Sequence, residues 1–353
     1  MLAAVHRSIP NLVSTALTPY DEPDDFRESD SDSWWKPRAK KIAQYIAEEL
    51  STSDIVLLQE WWTRSEFVEI FDQYTSHVFG KVTHRRPGLV GGKQREDGMA
   101  VLVNHKGKWE IVESHKIVTR PGRIAQIVHL REKNAGRSLF LANVHLSFPT
   151  GGSHASQRRQ AYEMHCVARA LGRAGREKAF YGDDGSHLQV IGGDFNSNSQ
   201  SLAAQILEQH PYHFANCMSA QAWQSMASSV GGRMDLGVTH RNHLGQEVSV
   251  DHVLARIVRS NGTPGMTNGL LKLGYLDACS GAQVVDCRKK KISLRGKGKL
   301  SDHRPVTARI QWDTKVCQPN HNDTIPTFRV LQEENNYNNS YAQLHPLQSP
   351  WDS

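Results

Sequence analysis

Short apolar runs, each closing on a chemically capable polar residue, recur along this 353-residue chain and constrain its fold more than any other feature. Leu57-Leu58-Gln59-Glu60 ends in a carboxylate, and Leu139-Phe140-Leu141-Ala142-Asn143-Val144-His145 ends in an imidazole. Val190-Ile191-Gly192-Gly193-Asp194-Phe195-Asn196 ends in an Asp and an Asn one residue apart. Val250-Asp251-His252-Val253-Leu254 embeds a carboxylate at its start, and Leu300-Ser301-Asp302-His303-Arg304-Pro305-Val306 sets Asp beside His before a last run. Runs of about four to eight apolar residues have the length of strands, and the ends of strands are where mixed α/β proteins gather side chains into one cleft.

The rest of the pattern agrees with such a fold. Helical spacing predicts helices over residues 36–50, 63–77, 157–173 and 201–209. Strand-like runs fall at 54–59, 98–104, 108–117, 123–131, 138–146, 188–192, 249–255 and 306–311. Short strands interleaved with helices, with strand–strand neighbours as well, indicate a mixed sheet packed by helices. No internal repeat stands out. From Asp313 onward Asn, Gln, Pro and His dominate without periodicity, so the expected organisation is one domain over 1–312 and a disordered tail over 313–353.

Composition narrows the class. No apolar run approaches the ~20 residues that a bilayer span needs. Five cysteines, widely spread and without CxxC spacing, argue against a disulfide framework and a cysteine zinc site, and for a reducing compartment. A cytoplasmic or nuclear location is expected, although the first twenty residues, acid-free with several Ser and Thr, carry a faint transit-peptide character. The net charge of +6 favours an anionic partner. It is unevenly spread: residues 21–32 hold seven acids against Arg27, while Arg288, Lys289, Lys290, Lys291, Arg295, Lys297 and Lys299 put seven bases into twelve residues without an acid. By itself such a run reads equally well as a solvated loop.

Common catalytic signatures, GxxxxGK[ST], GxSxG, HExxH and the EF-hand loop, are absent, and His240 and His243 read as loop histidines. Singly, Glu60 or Asp194 could cap a helix and His145 could be a satisfied structural histidine. Together, Glu60, Asp194, Asp251 and Asp302 converging with His145 and His303 could not all stay ionised in one cleft without a cation. Oxygen donors without thiolates point to Mg²⁺, with Mn²⁺ as a substitute.

The order Gln-Glu, Asp-Gly, Asn-x-His-Leu, Gly-Asp-Phe-Asn, Val-Asp-His, Ser-Asp-His, running from Leu57 to Ile310, resembles the endonuclease/exonuclease/phosphatase superfamily with its deoxyribonuclease-I-like fold. Trp34-x-x-Pro-Arg, Leu-Gln-Glu followed by Trp61, and Val238-Thr-His-Arg-Asn-His-Leu-Gly before Val250-Asp251 are similar to the carbon-catabolite-repressor and nocturnin-like deadenylase branch, in a plant-type form without EF-hands. The resemblance implies a four-layer α/β sandwich, two mixed sheets face to face and flanked by helices. It implies Glu60 as the main Mg²⁺ ligand with Asp302 beside it, Asp194 orienting or deprotonating the attacking water, and Asn196 holding a phosphate oxygen. His303, oriented by Asp251, and His145 would contact the phosphate, and Asp97 at the Asp-Gly position would support them. One departure concerns the first strand, where the family presents an Asn: over Leu12-Val13-Ser14-Thr15-Ala16-Leu17-Thr18-Pro19 the matching residue is Thr15, and Asn11 is out of register.

The expected activity is metal-assisted phosphodiester hydrolysis of a polynucleotide, RNA before DNA, as a 3′-to-5′ exonuclease or deadenylase. The basic run enters Ser301-Asp302-His303 directly and would track a polyphosphate backbone. Trp61 could stack on a base or pack beneath the catalytic loop. The alternatives are a phosphatase or phospholipase of the same fold acting on inositol polyphosphates or sphingomyelin, and a catalytically silent nucleic-acid-binding protein. Nothing in the sequence calls for an obligate protein partner.

Overall fold

The structure, a computed structural model, describes residues 2–8, 32–90, 93–149, 154–179, 186–209, 212, 214–216, 240–241, 247–259, 271–275 and 306–312. The chain divides into Met1–Cys317 and Gln318–Ser353, and all described residues belong to the first unit. The expected tail over 313–353 therefore lies outside the described residues, as do His243, Thr15, Asp302, His303 and the seven bases between Arg288 and Lys299.

In chain order the elements are β1 (Leu2–Ser8), α1 (Asp32–Glu49), β2 (Ile55–Trp62), α2 (Ser65–Thr75), β3 (Phe79–Arg85), β4 (Leu89–Val90), β5 (Lys93–Gln94) and β6 (Asp97–Asn104). There follow β7 (Trp109–Arg120), β8 (Arg123–Glu132), β9 (Ser138–His145), α3 (His154–Lys178), β10 (Ser186–Asp194), α4 (Leu202–Glu208) and β11 (Ala215–Asn216). The last are β12 (His240–Arg241), β13 (Glu247–Val248), β14 (Asp251–Arg259), β15 (Leu271–Tyr275) and β16 (Val306–Trp312).

Two six-stranded mixed sheets result, in the orders β15-β16-β1-β2-β6-β3 and β11-β14-β10-β9-β8-β7. Each contains one parallel pair, β1 with β2 and β9 with β10, and every other pairing described is antiparallel. A helix, α1 or α3, lies in the chain between the partners of each parallel pair, as a parallel crossover requires. The two sheets thus share one pairing scheme that no sequence repeat betrays.

Alternation along the strands builds four layers. Val56, Leu58, Ala100 and Leu102 join Trp35, Ile42 and Ile46 of α1 and Phe67 and Phe71 of α2 in one core. Phe140, Ala142, Val144 and Ile191 join Met164, Val167 and Leu171 of α3 and Leu207 of α4 in another. Between the sheets the packing is partly polar. Asn143 donates through Nδ2 to the carbonyls of Leu58 and Ala100, both at 3.0 Å, and accepts at Oδ1 from Gln59 Nε2 at 2.5 Å. This amide bolts β9 to β2 and β6 directly beneath the strand ends. Gly192 lets the sheets close, since a Cβ there would meet Leu57 Cδ1 at 2.6 Å.

Three expectations are corrected. The strand paired with β2 is Leu2–Ser8, upstream of the Leu12–Pro19 stretch where the first strand is expected. β3 was not anticipated, because Phe-Gly-Lys-Val-Thr-His-Arg alternates poorly and only Phe79 in it is fully buried. α1 starts at Asp32, where the Asp32 carboxylate accepts from Trp35 Nε1 and pairs with Lys36, so Pro37 sits beyond the first turn.

Candidate active site

The carboxyl ends of β9 and β10 and the start of β14 meet at one edge of the second sheet. Asp194 is in register with His145 on one side and with Asp251 on the other. Residues in register across neighbouring strands stand about 5 Å apart and share a face, so one imidazole and two carboxylates form a row. All three are buried, Asp251 completely. His145 Nε2 lies 3.7 Å from Asp194 Oδ2.

Backbone chemistry fixes the row. Gly193 has φ +151, and a Cβ on it would sit 2.0 Å from the Val144 carbonyl, so only glycine lets β10 approach β9 here. Asn196 has φ +51, a left-handed conformation that Asn tolerates. Its N–H donates to Asp194 Oδ1 at 2.7 Å, and its side-chain Nδ2 donates to the Leu146 carbonyl at 2.9 Å. One amide hydrogen of Nδ2 is left over to donate outward.

Helix α3 braces the two loops that follow. Gln160 Nε2 donates to the Ser147 and Phe195 carbonyls at 2.7 and 3.0 Å. The buried Glu163 accepts from the Ser147 amide at 2.9 Å and from the Ser147 hydroxyl, which in turn accepts from Arg120 at 2.9 Å. His252, fully buried, donates from Nε2 to the Ser197 carbonyl at 2.8 Å, and burial pushes its imidazole below its ordinary range.

Glu60 reaches the cleft by a different device. Between Gln59 and Trp61 the β2–β6 register shifts, and Glu60, at φ +54, is the extra residue of a β-bulge. In a regular strand Glu60 would share the face of Leu58, which packs in the apolar helix layer. The bulge instead gives that face to Trp61, and Trp61 and Trp62 both pack in the helix-side core. A left-handed Glu in a buried bulge is strain of the kind that concentrates at functional sites.

Arginines from loops supply the opposing charge. Arg86, just after β3, is 2% exposed; its Nη1 donates to Asp97 Oδ2 at 2.7 Å and its Nη2 contacts His145 Nδ1 at 2.6 Å. Arg95 donates from Nε and Nη2 to the two oxygens of Asp97 at 2.8 and 3.0 Å. Burial alone would raise the Asp97 carboxyl, but the Arg95 hydrogen bond and the charges of both arginines outweigh it and hold the acid below its ordinary 3.8. Arg123, at the start of β8, is lowered to about 10, first by burial and then by Arg86, while Glu163, Glu60 and Asp194 oppose the shift. Among the described residues the buried Nη1 of Arg123 has no hydrogen-bond partner. Its charge is felt by carboxylates of both sheets, Glu60 and Asp194.

The structure therefore brings together His145, Asp194, Asn196 and Asp251 on one sheet edge, with Glu60 and Asp97 on elements of the facing sheet. β16 begins at Val306, in register with His6 of β1, which is in register with Leu57. β16 thus enters the sheet on the side where β2 ends. Trp61 is a correction. It is 0% exposed, with Phe67 and Phe71 against it at ring-centroid distances of 5.1 and 4.7 Å, and it offers no face to a base. Arg86, Arg95, Arg123, Gln160 and Glu163 escaped the sequence reading. The last two had a visible signal: they interrupt, as polar residues, the stripe that continues through Met164, Val167 and Leu171.

A single carboxylate with water suffices for part of a Mg²⁺ shell, and Glu60 is a hard oxygen donor of the right kind. Among the described residues no group of three or more His, Cys, Asp or Glu side chains could by itself hold a metal ion.

Similarity to known proteins agrees with this fold. The human Nocturnin catalytic domain with bound sulfate shares the fold at TM-score 0.56 and 15% identity, over 88% of this chain and 93% of that one. A Bacteroides thetaiotaomicron mannosyl-6-phosphatase does so at TM-score 0.56 and 16% identity, over 88% and 100%. D. rerio TDP2, humanised by 14 mutations, does so at 0.53 and 14%, over 88% and 98%. Among curated proteins no sequence match is found. The endonuclease/exonuclease/phosphatase family model matches residues 28–303, most of the chain. The chain belongs to the endonuclease/exonuclease/phosphatase family and is by that membership a phosphoesterase, a hydrolase acting on ester bonds.

Proposed function

We propose that this phosphoesterase is a Mg²⁺-dependent nuclease that degrades RNA from its 3′ end, in the manner of a deadenylase. The observation that carries the reading is the row His145–Asp194–Asp251, with Asn196 beside it and Arg123, whose Nη1 has no partner among the described residues, within electrostatic reach. Phosphodiester hydrolysis requires an aligned water, partners for the non-bridging oxygens and support for the leaving oxygen. Asp194, held at Oδ1 by the Asn196 amide, orients and deprotonates the water. Asn196 and His145 donate to phosphate oxygens, as does His303, which Asp251 orients, and Arg123 balances their charge. Glu60 and Asp302 would hold the Mg²⁺, which when bound would supply Lewis-acid polarisation of the phosphoryl group. The bases Arg288, Lys289, Lys290, Lys291, Arg295, Lys297 and Lys299 draw in the polynucleotide backbone, with affinity that falls steeply with salt. No described helix is long and apolar enough to cross a membrane, and a cytoplasmic or nuclear site of action fits an RNA substrate.

The test is an end-labelled RNA and DNA degradation series with Mg²⁺ or EDTA, comparing wild type with Glu60→Ala. RNA ladders stepping inward from the 3′ end, in wild type with Mg²⁺ alone, are expected. Intact nucleic acids alongside phosphate release from small monoesters would replace this reading by that of a phosphatase.

A further inference from the structure

The Arg86–His145 contact determines what His145 can do. A guanidinium has five N–H donors and no acceptor. At 2.6 Å from Arg86 Nη2, His145 Nδ1 can therefore take part only as an acceptor, with its lone pair unprotonated. The proton of a neutral imidazole then sits on Nε2, the nitrogen that faces Asp194 Oδ2 at 3.7 Å. Protonating Nδ1 would turn it against a buried cation at hydrogen-bond distance. Arg86 is itself immobilised: its Nη1 is tied to Asp97 Oδ2, Arg95 clamps the same carboxylate, and the Arg86 backbone N–H donates to the Asp97 carbonyl at 3.0 Å. A buried arginine would ordinarily be matched by a second carboxylate. Here its Nη2 bonds to an imidazole of the facing sheet instead.

We propose that Arg86 is a positioning residue that locks His145 as a neutral Nε2–H donor, so that His145 gives a hydrogen bond to a phosphate oxygen and neither takes up nor releases a proton in the reaction. The chain Asp97–Arg86–His145 plays the orienting role that a carboxylate plays behind the histidine of a hydrolytic triad, with the opposite result. A carboxylate holds Nδ1–H and leaves Nε2 a base; an arginine holds Nδ1 bare and leaves Nε2 a donor.

The catalytic half of this proposal rests on the phosphodiesterase reading, but the tautomer does not. Protein labelled with ¹⁵N at histidine should show, in a long-range ¹H–¹⁵N correlation spectrum at pH 7, an unprotonated Nδ1 and a protonated Nε2 for the residue whose signals vanish in His145→Gln. An Nδ1–H tautomer or a doubly protonated ring in wild type overturns the proposal, whatever the variants do. Arg86→Met keeps side-chain length and leaves Asp97 paired with Arg95. It should yield a mixture of tautomers and lower kcat on RNA by about 10- to 100-fold with little change in KM, whereas Arg86→Lys restores part of both. Wild-type tautomer and kcat in Arg86→Met overturn it. A wild type that shows the expected tautomer but cleaves no RNA rejects the substrate assignment and leaves the positioning role standing.

Discussion

The two glycines that precede Asp194 occupy adjacent positions and should respond very differently to alanine. At Gly193 the new Cβ would lie 2.0 Å from the Val144 carbonyl oxygen and 2.7 Å from Val144 Cγ2, on a backbone held at φ +151. Ordinary contacts are about 3.5–4.0 Å, so β9 and β10 would have to part by about 1 Å or more at the level of His145 and Asp194. Overpacking of this sort costs about 1–3 kcal/mol and a conformation open essentially to glycine alone about 1–3 kcal/mol, giving about 2–6 kcal/mol for Gly193→Ala. At Gly192 the Cβ would meet Leu57 Cδ1 at 2.6 Å, the end of a side chain that can turn, and the cost should be about 1–2 kcal/mol. Urea unfolding followed by tryptophan fluorescence gives both values. Gly193→Ala should also lose activity in its folded fraction, because the separation falls on the catalytic row. Equal destabilisation by the two substitutions, or a larger effect at Gly192, would refute the argument that β10 is held against β9 by the absence of a side chain at Gly193.

Glu60→Gly should abolish activity while stabilising the fold by about 1–2 kcal/mol, because glycine adopts the left-handed bulge freely; a destabilised variant in thermal melts would mean the bulge is unstrained. Trp61→Ala should cost about 3–5 kcal/mol as a core truncation, with an unchanged KM for RNA in the folded fraction; a raised KM at unaltered stability would restore the stacking role. Burial pushes His187 from 6.5 down to about 4. A base whose folded pKa is depressed stabilises the fold fully above its unfolded pKa. Stability should therefore fall as pH drops from 6.5 to about 4, by about 3 kcal/mol in all, and His187→Gln should flatten that part of the curve in urea titrations at stepped pH.

What the sequence made legible was set by local chemistry. The strand-end residues His145, Asp194 and Asp251 could be singled out because each closes or opens an apolar run, and the fold then aligned them in one register. The bulge at Glu60 could not be read, since alternation predicts only that a strand ends there, and the faces taken by Trp61 and Trp62 depend on one extra residue. The arginines were hidden for a related reason. Arg86, Arg95 and Arg123 lie at strand edges and in turns, where a basic residue ordinarily faces water, and nothing in the sequence shows that Arg86 is buried against the facing sheet. β1 was misplaced because Leu12–Thr18 is as apolar as Leu2–Ser8, and pairing with β2 and β16 decides between them.

If the row at the ends of β9 and β10 hydrolyses phosphodiesters, single-turnover cleavage of end-labelled RNA by Asp194→Asn must reveal it. Asn preserves the shape of Asp194 and removes its capacity to take a proton, so the rate should fall by about 10²–10³-fold or more while the melting temperature stays near that of wild type. A folded Asp194→Asn protein that cleaves RNA at the wild-type rate would contradict the account and place the chemistry elsewhere.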